Sequence, residues 1–162
     1  MTATVGKHVG PGEGRKVKLY GVAFDYKVVG NDSGGEFSIL EVRIPAKTLV
    51  KPHLHTRETE YSLILEGTVG ARVGDTVLEA SAGSYLVKPR GVPHAMWNAT
   101  EEQVTVVEML NPAGLEEYFV ELEPVLTKHE PRAVYDALAT KYGLEIIDEW
   151  IPELEETYGI KL

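Results

Sequence analysis

Pro52-His53-Leu54-His55-Thr56-Arg57-Glu58-Thr59-Glu60, running on through Tyr61-Ser62-Leu63-Ile64-Leu65-Glu66-Gly67, concentrates the chain's distinctive chemistry. One residue separates His53 from His55. Alternate residues of a β-strand project to the same face, so both imidazoles can aim at one point. Glu60 opens the apolar run 60–65, which predicts the next strand and brings a carboxylate in from a neighbour. A second segment, 83–98, supplies Gly83, Pro89, Gly91, His94 and Asn98. Three imidazoles and one carboxylate on a concave β surface make a divalent-metal site with positions left for outer ligands. A lone His-x-His on a strand is most often surface decoration, but three of the chain's five histidines fall into this arrangement.

Taken together, the two segments resemble the paired signature motifs of the cupin superfamily. His53, His55, Glu60 and Gly67 stand in the register of the first motif, and only its leading glycine is missing, with Lys47 in its place. Gly83, Pro89, Gly91, His94 and Asn98 match the second throughout. The gap between the motifs, residues 68–82, is short, as in small bacterial single-domain cupins. The resemblance implies a mainly β chain, a cupin jelly-roll (double-stranded β-helix) barrel, in which His53, His55, Glu60 and His94 bind the metal.

The chain's 162 residues suit one domain with a full core. With 43% hydrophobic and 25% charged residues, the composition is that of an ordinary globular protein. No apolar run is long enough to span a bilayer, and the N-terminus lacks a signal-peptide core, so a cytoplasmic location is expected. Cysteine is absent, which leaves only imidazole and carboxylate to hold a metal. That donor set suits iron, nickel, manganese, copper, cobalt or zinc. The formal charge of −9 argues against nucleic acid or an anionic membrane as partner. A small-molecule substrate is the expected partner.

Residues 1–16, rich in glycine, are expected to form a flexible arm. Residues 16–29 read as β structure broken at Gly21, and residues 30–35 as a turn cluster. Residues 37–44, 69–73, 76–80, 83–88 and 104–110 read as further strands, so that the barrel occupies 17–110. Strand parity sends Ser62 and Ile64 to the face of Glu60, and Met96 and Asn98 to the face of His94. These four are the pocket candidates. From Asn111 the pattern turns helical, with Asn111 as a helix cap and Pro112 as the first helical residue. Pro124 should end or kink that helix near Glu123. A second helix is expected from Pro131 to Gly143 and a third over 152–158, so residues 111–162 form a helical extension packed on the barrel. Pro112-Ala113-Gly114 resembles the start of the helical tail in small cupins related to quercetin dioxygenase.

Open positions on such a metal admit water, dioxygen or a chelating substrate. Glu60 is the member with spare acid–base capacity, which makes it the candidate general base. The resemblance to quercetin-dioxygenase-like cupins implies a dioxygenase-like oxidoreductase acting on a flavonol-like, enol or hydroxy-ketone compound. The same ligands can serve an isomerase or decarboxylase, or a non-catalytic binding cupin. A sugar-phosphate substrate would call for converging cations, with Arg43, Arg57, Lys88 and Arg90 as candidates. Jelly-roll sheets leave edges that need cover, so a homodimer is expected, with the N-terminal β segment over the edge.

Overall fold

Strict alternation of buried and half-buried side chains along Ser38–Ile44 marks a strand with one face in the core, and the same pattern recurs down the chain. The structure, a computed structural model, describes residues 6–162. The strands are β1 (Lys16–Leu19), β2 (Val22–Val28), β3 (Ser38–Ile44), β4 (Thr48–His55), β5 (Thr59–Glu66), β6 (Thr68–Val73), β7 (Thr76–Ser81), β8 (Tyr85–Lys88), β9 (His94–Asn98), β10 (Val104–Asn111) and β11 (Leu144–Ile146). Helices are α1 (Gly30–Ser33), α2 (Glu116–Thr127), α3 (Arg132–Tyr142) and α4 (Ile151–Tyr158). Two antiparallel sheets, ordered β1-β2-β3-β10-β5-β8 and β11-β4-β9-β6-β7, make the jelly roll. No described helix is long and apolar enough to cross a membrane.

The main core lies between the sheets and continues under the helical extension. Leu40, Val42, Ile44, Ile64, Val69, Val104 and Val106 are buried there, joined by Leu115, Tyr118 and Leu122 of the extension. A smaller core sits on the outer side of the second sheet, where Trp97 and Leu49 meet Leu154 of α4 and Ile160. The Trp97 and Tyr158 rings lie 4.5 Å apart. Gly70 makes room for this packing, since a Cβ there would come 2.2 Å from the indole. Trp97 thus points away from the barrel interior, as parity requires, and is buried from the other side.

Several boundaries differ from the sequence expectation. Of the expected flexible arm, residues 1–5 lie outside the described residues. Further on, the Arg15 carbonyl accepts a hydrogen bond from the Tyr26 amide, and Lys27 Nζ donates to the carbonyls of Gly10 and Glu13. Residues 10–15 therefore lie along β2. The turn cluster 30–35 contains the single helical turn α1. Asn111 does not cap a helix: it ends β10 and its Nδ2 donates to the Glu36 carbonyl. The helix starts at Glu116, whose carboxylate accepts the amides of Gly30 and Gly114. Nor does α2 stop at Glu123. It runs through Pro124 to Thr127, giving up only the one hydrogen bond that an amide at position 124 would have made to the Val120 carbonyl. In the last turn Thr127 Oγ1 donates to the Glu123 carbonyl, and Lys128 N–H closes on Pro124 O. Strand β11, which the sequence pattern did not predict, is three residues long and is held by pairing with the histidine-bearing end of β4.

Candidate metal centre

The strand register assembles the site. His53 and His55 share one face of β4, and His53 pairs directly with His94 of β9. Glu60 of β5 pairs with Lys88 of β8, and Ser62 pairs with Glu108 of β10. One ligand atom from each of His53, His55, Glu60 and His94 lies within 4.8 Å of the others, a group that could hold a metal ion. Nε2 of His53 and Nε2 of His55 are 3.1 Å apart. Glu60 Oε2 lies 3.3 Å from His55 Nε2 and 3.2 Å from His94 Nε2.

The backbone sets which nitrogen of each ring is bare. His53 Nδ1 is 2.6 Å from the Lys51 carbonyl, and His94 Nδ1 is 3.0 Å from that of Val92. A carbonyl only accepts, so each Nδ1 carries the proton and each Nε2 presents a lone pair to the centre. Burial, then the neighbouring imidazoles, holds His53 well below the usual histidine range; burial also lowers His94. Neutral, inward-facing imidazoles are what a metal requires. His94 Nε2, its lone pair turned to the centre, is buried without any aligned hydrogen-bond partner, an arrangement that costs free energy unless a cation completes it. The residues present therefore fit a divalent ion.

Beside this group sits a second one. Lys88 Nζ is 2.9 Å from Glu60 Oε2 and 3.1 Å from Glu108 Oε2, which also accepts from Ser62 Oγ at 2.7 Å. All of these side chains are buried. Burial works against both charges of the Glu60–Lys88 pair. Lys88, with His55 and His94, nevertheless holds the Glu60 carboxyl well below its usual range, and Glu108 and Glu60 raise the Lys88 ammonium. Glu108 goes the other way: burial, reinforced by the charge of Glu60, pushes its carboxyl up to about 8. Its Oε1 has no partner.

A cavity of about 430 Å³ opens from the four side chains towards the helical extension. Phe24, Val50, Met96, Tyr118, Phe119 and Leu122 are among its apolar walls, while Lys88 and Glu108 belong to its polar end. Helices α2 and α3 and strand β11 thus form part of the enclosure. Of the pocket candidates, Met96 lines the cavity. Ser62 faces inward behind Glu108, Ile64 lies in the core, and Asn98 holds the loop carbonyls of Ile44, Pro45 and Glu102. Those three are not among the lining residues. Among the candidate cations only Lys88 reaches the centre. Arg43 is bound bidentately to Asp25, and Arg57 and Arg90 are exposed. Glu108 escaped sequence reasoning, although a signal existed: it interrupts Val104, Val106 and Leu110, the inward set of β10. Lys88 likewise alternates with Leu86.

Comparison with known proteins agrees with this architecture. Residues 40–110 match the family described as Cupin domain. H2HPP isomerase of Bacillus subtilis is 24% identical over 118 residues, 72% of this chain, and the match spans 48% of that protein, about half its length. The structure of KdgF from Halomonas sp. superposes with a TM-score of 0.62 at 15% identity, covering 70% of this chain and 99% of that one. The polyketide cyclase RemF from Streptomyces resistomycificus gives 0.59 at 19% identity, covering 66% and 80%. With the two motifs in register, the jelly roll built and the family matched, residues 40–110 form a cupin domain.

Proposed function

We propose that the protein is an enzyme that uses one divalent metal ion, held by His53, His55, Glu60 and His94, to shift a proton within a small oxygen-rich substrate, as an isomerase does. The observation that carries this reading is the pair of carboxyl groups flanking Lys88, one held ionised and the other pushed up to about 8. Two titratable groups driven apart by their surroundings are the mark of a base and an acid at one site. When bound, the ion, be it iron, nickel, manganese, copper, cobalt or zinc, supplies a Lewis acid that polarises a carbonyl or enol oxygen. Glu60 accepts the proton that leaves the substrate. Glu108, as the neutral acid, returns one at a different atom, so no oxidant is consumed. The apolar walls hold the body of the substrate and keep water from the reacting atoms. The isomerase name of the Bacillus relative supports this class of reaction.

The second reading is dioxygenase-like oxidation of a flavonol-like or other enol-bearing compound. It is favoured by the apolar wall formed by Phe24, Met96 and Phe119, which suits a planar ligand and oxygen. Turnover of small chelating hydroxy-ketones and enols, followed with and without air, separates the two. Anaerobic turnover supports the isomerase, and one oxygen consumed per product overturns it. We further propose that the protein works as a homodimer.

A further inference from the structure

Lys88 is a charge that the four-ligand centre does not need. Metal ligation by three histidines and Glu60 is complete without it, yet the fold buries the ammonium where the cavity meets the centre. Such burial is costly unless the charge is matched. Its partners are Glu60, already committed to the centre, and Glu108, whose carboxyl burial pushes up to about 8. Glu60 and Lys88 cancel each other, so a bound dication leaves its full charge uncompensated. Ionisation of Glu108 returns only one unit. The charges lining the cavity farther out do not help: Arg132 is taken by Asp136 and Asp148, and Lys51 by Asp148. The site is left in need of an anion.

The donors of Lys88 point the same way. An ammonium has three N–H groups. Its one aligned hydrogen bond goes to Glu108 Oε2, and Glu60 Oε2 is an ion-pair contact at 2.9 Å. A donor remains for something in the cavity. We propose that Lys88 selects the substrate: its ammonium takes an oxygen of an acid or enolate seated beside His53, His55, Glu60 and His94. The proposal rests on the metal centre described above and narrows its substrates to anions.

Metal-loaded protein can be titrated calorimetrically with oxalate, a small dianionic chelator, and with imidazole, a neutral metal ligand. The variants are Lys88→Met and the double change Lys88→Met with Glu108→Gln, which also removes the carboxylate that would otherwise be left buried beside an apolar side chain. Both variants should keep their metal and bind imidazole within about twofold of the wild type. Oxalate affinity should fall about 10- to 100-fold, the size of one lost charge-assisted hydrogen bond. Unchanged oxalate affinity in both metal-loaded variants overturns the proposal and leaves Lys88 as a counter-ion for Glu60 and Glu108. Metal loss from both variants overturns it as well, by assigning Lys88 to building the centre. A wild-type protein that takes up no metal overturns the centre itself and this inference with it, and metal content alone tells that failure from the others.

Discussion

His53 and His94 face each other across β4 and β9, and each has its Nδ1 tied to a carbonyl two residues back along its own chain. This anchoring is local, so replacing either ring should remove a ligand without disturbing the strand. His53→Ala and His94→Ala are expected to lower metal content of purified protein at least tenfold, as measured by mass spectrometry. Wild-type occupancy in both would sink the assignment. Glu60→Gln asks a different question, because the amide keeps an oxygen of nearly the same shape but cannot take a proton. With metal in saturating excess, this variant should still turn over about 10²- to 10⁴-fold more slowly if Glu60 is the base. Full recovery of rate would reduce Glu60 to a ligand. These four residues could be named in advance because their types and spacings are the chemistry itself. Lys88 and Glu108 were harder to see: a Lys and a Glu on strands ordinarily face water, and only the alternation of their neighbours with the core betrays them.

Asp25 shows how strands far from the centre are tied together. Its buried carboxylate receives both guanidinium nitrogens of Arg43, at 2.8 and 3.0 Å, and Lys16 Nζ at 2.8 Å. One side chain of β2 thereby joins β1 and β3. The Arg43 hydrogen bonds hold its carboxyl below the usual range against the opposing effect of burial. A depressed folded-state value means that the stabilisation is complete above the unfolded value of about 3.9 and is lost as pH falls through the lower, folded one. Asp25→Asn should therefore cost about 2 kcal/mol near pH 7, where the wild type has the full benefit. The gap in Tm between the two proteins should narrow below about pH 4. A gap that stays constant from pH 7 to 3 would show that the loss is not electrostatic. Strand positions were largely readable because period-two patterning is enforced by the core. The helix start at Glu116 and strand β11 were not, since both depend on partners distant in sequence. Glu116 meets Gly30, and Leu144–Ile146 meets 53–55.

The barrel closes its two sheets over a shared interior, and the helical extension both walls the cavity and packs on β1, where the Lys18 amide donates to Glu123 of α2. The N-terminal edge of the first sheet is therefore covered within the chain itself. Among the described residues, its opposite end is left exposed. The register sets Met109, Tyr61 and Val87 side by side across β10, β5 and β8, with Val107, Leu63 and Tyr85 in the next row. These positions form the outer face of that sheet, and Tyr85 and Val87 are 75% and 54% exposed. A contiguous apolar patch left on a domain's surface marks an interaction site. Two copies related by a two-fold axis through this face would bury both rows against each other, aromatic side chains included, with no unpaired charge at the centre. We propose that the homodimer forms at the β5–β8 end of the sheet; the sequence pattern alone points instead to cover by the N-terminal segment. Sedimentation should find a dimer at micromolar concentration, and Tyr85→Lys with Val87→Lys should shift it to monomer while leaving metal content unchanged. A wild-type monomer, or a double variant that remains dimeric, would rule this face out.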